Sequence, residues 1–112
     1  MSLHPIGTIA VIFLALRTGE DADGYQAAAN EMSALAKMQP GYCGEDHARS
    51  ENGLGITVSY WKNDDCAEAW RDHPDHKAIR NRGRGKWYEY YTLHVTRVER
   101  SYEWHKTGTE TD

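Results

Sequence analysis

The chain has 112 residues, 39% of them hydrophobic and 27% charged, with a formal net charge of -4 and a pI near 5.8. That length suits one domain with little core to spare, and the acidic balance argues against a nucleic-acid binder, which presents a basic face. No apolar run approaches a membrane span and no charged-then-apolar leader precedes a cleavage site, so one cytoplasmic domain over 1–112 is expected, ordered from about 6 to 104. Cys43 and Cys66 are too few for a disulfide scaffold and too far apart for a CxxC site. Two reduced thiols are the expectation.

Residues 6–16, "IGTIAVIFLAL", read as a strand. Ile6, Ala10, Ile12, Leu14 and Leu16 face one way, and Ile9, Val11, Phe13 and Ala15 the other. Both faces are apolar, so both need cover. "GEDADG" breaks the pattern and offers Asp21 and Asp23 as helix caps. Apolar residues at 25, 28, 29, 32, 35 and 36 then mark one helical face, which stops at Gln39-Pro40-Gly41.

A short polar strand is expected at 42–50. The hairpin signal Asn52-Gly53 leads into a strand over 54–61. Asn63-Asp64-Asp65, with Glu68 three places after Asp65, resembles a capping box that opens a second helix, with Cys66, Ala67 and Trp70 inward. His73-Pro74 interrupts it, and Pro74 starts a further helical segment to about Gly83. A last strand is expected from Thr92 to about Trp104. Tyr91, Leu93 and Val95 share one of its faces, whereas Val98, Tyr102 and Trp104 share the other. That phase slip predicts a β-bulge, or an end that joins a partner's sheet. The tail "KTGTETD" is expected to fray.

The order is β-α-β-β-α-β with a broken second helix, the ferredoxin-like arrangement of the α+β class. Its helices can cover one face of an antiparallel sheet. The first strand is apolar on both faces, so a second copy packed sheet against sheet is predicted: a homodimer.

Pro40-Gly41, the "ITVSYW" strand, "AW" followed by "HPDH", "GRGKWYEYY" and "RVERSY" closely resemble the antibiotic biosynthesis monooxygenase family. The resemblance implies a dimeric α+β barrel. It also implies a monooxygenase that needs neither flavin nor metal and brings dioxygen to polycyclic, quinol-like substrates. The residues are compatible with no cofactor: "GRG" at 83–85 lacks the spacing and preceding strand of a nucleotide fingerprint, and His73 and His76 lack partners at recognised metal spacing.

Such chemistry needs a dry aromatic slot, a base and a donor for the oxyanion. Trp61, Trp70, Trp87, Tyr88 and Tyr91 are the candidate walls. His76 is the preferred base, because imidazole titrates near neutrality. His73, Arg49 or Arg84 could steady the anion. Each has a plainer alternative: Trp61 and Trp70 suit a core, His73 suits a helix cap, and Arg80, Arg82, Arg84 and Lys86 suit a solvated face.

Two rival functions remain. One is haem breakdown by a related branch of the fold, whose ligating histidine would fall ten residues after Trp70. This chain has Arg80 there, and residues 6–16 lack the asparagine that branch carries. The other is a non-catalytic dimer that binds a small hydrophobic molecule, since fold does not fix function.

Overall fold

A computed structural model describes residues 2–106. Most of the tail expected to fray, 107–112, lies outside the described residues, as does Met1. The elements are β1 (Ile9–Arg17), α1 (Ala22–Lys37), β2 (Tyr42–Arg49), β3 (Leu54–Trp61), α2 (Asp64–Arg71), α3 (Pro74–Lys86) and β4 (Tyr88–Arg97). The strands form one antiparallel sheet in the order β2-β3-β1-β4. This is the expected α+β, ferredoxin-like arrangement with its second helix broken in two. Among the described residues no helix is long and apolar enough to cross a membrane.

Local chemistry sets the boundaries. Asp21 takes the left-handed conformation (φ 51°) and its carboxylate accepts the Gly24 amide at 3.2 Å, which opens α1. Within the expected capping run Asn63-Asp64-Asp65 the cap is Asn63, rather than Asp65 paired with Glu68: extended Asn63 offers its side-chain oxygen to the Cys66 amide at 2.9 Å. Pro74 does begin α3, and His73 caps it through Nδ1, which accepts the Asp75 amide. Asn52-Gly53 turns β2 into β3, with Gly53 at φ 93°.

Three expectations are corrected. The helix does not stop near Gly83 but runs through Gly85 to Lys86, closed by the Trp87 amide donating to the Gly83 carbonyl. Tertiary packing outweighs the low helical propensity of glycine here. β4 begins at Tyr88, ahead of the expected Thr92, and ends at Arg97 rather than near Trp104. Val98 still exchanges backbone bonds with Gly7 and Thr8, but β1 begins at Ile9 and offers nothing further to pair with. The phase slip lies at the other end of β4: Leu16 pairs with Tyr90 but Arg17 with Tyr88, so Glu89 is the extra residue of a bulge.

The helices cover the sheet face that carries Ile9, Val11, Phe13 and Ala15. The core gathers at one end of that face, where Ile9 and Trp61 are 1% and 0% exposed against Ala36, Ala67 and Trp70. On the opposite face Leu14, Leu54, Ile56 and Tyr90 are exposed. Among the described residues no layer covers them.

Candidate active site

The residues singled out from the sequence fall into two groups, joined by α3. The first is built on Trp61, Trp70, His73 and His76. Trp61 ends β3 and stacks on Trp70 of α2 at 5.9 Å between ring centroids. Trp70 in turn carries His76 at 4.3 Å, nearly parallel, and His73 at 5.8 Å, tilted. Trp61 and Trp70 are buried, and the Trp61 indole N–H is held by Ser59 Oγ at 3.0 Å. Their first role is packing.

His76 differs from them. Its Nδ1 lies 2.8 Å from the Trp70 carbonyl oxygen. A carbonyl only accepts, so Nδ1 carries the proton and, in the neutral ring, Nε2 keeps its lone pair. Burial lowers the imidazole pKa from its ordinary 6.5, with the nearby Arg80 and His73 adding to the effect against the carbonyl bond. At neutral pH the side chain is therefore uncharged and able to take a proton. Arg80, four residues on, anchors its Nη1 on the Arg71 carbonyl, while its Nε is buried with no acceptor.

The second group brings together Trp87, Tyr88, Tyr91, Arg49 and Arg84. It also includes Phe13, Tyr25 and Arg17, which the sequence alone did not mark as site residues. Phe13 meets Tyr88 and Tyr91 at 5.4 and 5.1 Å, and Tyr25 meets Trp87 and Tyr88 edge-on at 5.9 and 6.1 Å. The bulge at Glu89 is what places Tyr88 beside Tyr91 on this face and sends Tyr90 to the other. Gly83 makes room for it: a Cβ there would stand 2.6 Å from the Tyr88 ring. The Trp87 indole donates to Asp21, whose carboxylate also meets Lys86 at 3.5 Å. Indole, Gly24 amide and ammonium together hold that carboxyl below its usual pKa. Burial, then the neighbouring Tyr25, pushes the Tyr88 hydroxyl well above its ordinary pKa. Tyr88 thus stays a neutral O–H donor.

Between the groups the helix-covered face is only partly closed. Val11 pairs with Val95 and Phe13 with Leu93. Although on this face, Leu93 and Val95 are 52% and 58% exposed, while Val11, Phe13, Thr57 and Ser59 are half-buried. The register thus leaves an apolar strip of this face open, a groove running from the Ile9–Trp61 end, where Trp70 carries His76, to the Ala15–Tyr91 end beside Tyr88. Two open surface depressions of about 360 and 680 Å³ lie elsewhere, between residues 2–6, Tyr60 and 97–102. They carry no candidate site residue. The groove is the better candidate because the titratable and aromatic groups converge there.

The family model of the antibiotic biosynthesis monooxygenases matches residues 8–82. YqjZ of Bacillus subtilis (strain 168), described as an uncharacterized protein, is 43% identical over 91 residues, which is 81% of this chain and 79% of YqjZ. The fold is similar to that of SnoaB, a cofactor-independent oxygenase from Streptomyces nogalater (TM-score 0.67, 14% identity, 82% of this chain and 95% of SnoaB). It is also similar to PA3566 from Pseudomonas aeruginosa (TM-score 0.70, 12% identity, 85% and 97%). With its β-α-β-β-α-α-β order and the family match across two thirds of its length, the chain belongs to the antibiotic biosynthesis monooxygenase family.

Proposed function

We propose that the protein is a cofactor-independent monooxygenase that oxidises a small, electron-rich polycyclic aromatic or quinol-like substrate with dioxygen, working as a homodimer. The observation that carries this reading is His76: a neutral, half-buried imidazole with its Nδ1 proton committed to a carbonyl and Nε2 left as the basic atom beside an apolar groove. The name of SnoaB, a cofactor-independent oxygenase, agrees with it.

In this mechanism Nε2 removes a proton from an activated C–H of an anthrone-type substrate. The carbanion passes one electron to dioxygen, and the radical and superoxide so formed combine into a C–O bond. Loss of water from the hydroperoxide leaves a ketone, so one substrate CH2 and one O2 become C=O and H2O. In this reading Tyr88, whose burial keeps its hydroxyl protonated, donates to the developing oxyanion. His76 and Gly83, against which Tyr88 packs, are separated by about 10 Å of helix at the usual rise, a gap that a fused-ring molecule bridges. Haem breakdown is less well supported, because Arg80 is anchored on the end of α2 where that chemistry needs an imidazole. The uncovered face of Leu14, Leu54 and Ile56 supports the dimer, and sedimentation as a single subunit would refute it.

The test is oxygen uptake with a panel of anthrones and quinols. The wild type is expected to consume oxygen, and His76→Ala to be slower by roughly 10²- to 10⁴-fold, as for loss of a general base. Trp87→Ala should weaken substrate binding. If the panel binds but nothing reacts, the protein is a binding module instead.

A further inference from the structure

The groove ends in a feature that the proposed reaction does not use. Arg17, the last residue of β1, lays its guanidinium carbon 3.8 Å from the centroid of the Tyr25 ring. Arg49, the last residue of β2, lies 4.8 Å from the same centroid and donates to the Tyr25 hydroxyl at 2.9 Å. Across the aromatic cluster Arg84 donates to the Tyr91 hydroxyl at 2.6 Å. The chain as a whole is acidic, with 17 carboxylate side chains against 13 basic ones. Yet among the described residues no carboxylate is within ion-pair distance of Arg17, Arg49 or Arg84. The carboxylate of Asp21, which serves this end of the fold, is already engaged by Trp87 and Lys86.

Two guanidinium groups sharing one tyrosine repel each other, and a surface pair of this kind is normally relieved by an acidic neighbour. Here both are instead held at the ring, Arg49 also through the tyrosine hydroxyl, which lowers the entropic cost of presenting their N–H groups to a ligand. A planar, charged fork so held matches a carboxylate, which accepts two parallel N–H bonds. Neutral hydroxyl or carbonyl groups gain much less from it.

From this geometry we infer that Arg17 and Arg49, clasped around Tyr25, form a receptor for a carboxylate on the ligand, so that the groove selects an aromatic acid over the corresponding neutral molecule. The inference rests on the groove being the ligand site of the proposed function, but not on any reaction taking place there.

The experiment compares equilibrium binding of anthracene-2-carboxylate and its neutral carboxamide, followed by quenching of tryptophan fluorescence. The carboxylate is expected to bind at least about tenfold more tightly, a difference that one added charge-assisted pair can supply. Added salt should erode its binding and leave the carboxamide's unchanged. In Arg17→Gln and Arg49→Gln the preference should shrink towards one, while affinity for the carboxamide, an internal control for a folded groove, persists. Arg49→Lys keeps the charge but loses the fork and should retain part of the preference. Equal binding of the two ligands by the wild type, or a preference that survives both glutamine variants, overturns the inference. A retained preference without oxygen uptake would sink the oxygenase and leave the receptor standing; uptake without preference would do the reverse.

Discussion

The two ends of the helix-covered face use the same materials to opposite effect. At one end Trp61, Trp70 and Ile9 pack as a core, the Trp61 indole donating to Ser59 and the Trp70 carbonyl holding His76. At the other, Phe13, Tyr25, Tyr88 and Tyr91 meet edge-on or tilted, and the hydroxyls of Tyr25 and Tyr91 are met by arginines. Aromatic abundance therefore does not distinguish core from site. The company the rings keep does: apolar walls with sealed hydrogen bonds make a core, whereas hydroxyls and unpaired cations at an open edge make a place for a ligand.

Three substitutions would break or sharpen this contrast. Trp61→Ala should cost about 3–5 kcal/mol, the usual range for emptying a buried aromatic site. Urea denaturation would show it, and a loss under about 1 kcal/mol would mean that the sealed end does not carry the stability. Gly83→Ala should cost less, about 1–3 kcal/mol from overpacking, because the new methyl meets the Tyr88 ring. It should also displace Tyr88 and weaken ligand binding, whereas Trp61→Ala acts on stability first. The smallest effect concerns protons. The folded chain depresses the His76 pKa below 6.5, so the unfolded chain takes up that proton first as pH falls. The stability tied to neutral His76 is thus complete above about 6.5 and declines from there down to the folded value, at up to about 1.4 kcal/mol per pH unit. In His76→Gln this slope should flatten; an unchanged slope would assign it to other groups.

Much of the fold was legible in local chemistry. The Asn52-Gly53 hairpin, the Pro74 start of α3 and the two-faced apolar β1 each follow from one or two residues acting through nearest neighbours. The misread positions depend on distant partners. Gly83 and Gly85 signal a break unless one knows that the Tyr88 ring needs the space that Gly83 leaves. The bulge at Glu89 is a relation between β4 and β1, invisible in the periodicity of β4 alone. The same applies to the site. Trp87, Tyr88 and Tyr91 stood out because they cluster in sequence, whereas Phe13, Arg17 and Tyr25 join them only after β1, α1 and β4 have met.

The corner at Gly83 also bears on how the molecule assembles. Gly83, Tyr88, Arg84 and Tyr91 find one another within a short stretch of chain, so closing that loop sacrifices little conformational freedom. Joining Ile9, Ala36, Trp61 and Trp70 requires partners spread over residues 9–70 to come together. The α3–β4 corner is thereby able to take its shape before the hydrophobic centre does, whereas the rest of the ligand-facing end waits for Phe13, Arg17 and Tyr25 to arrive with the sheet and α1.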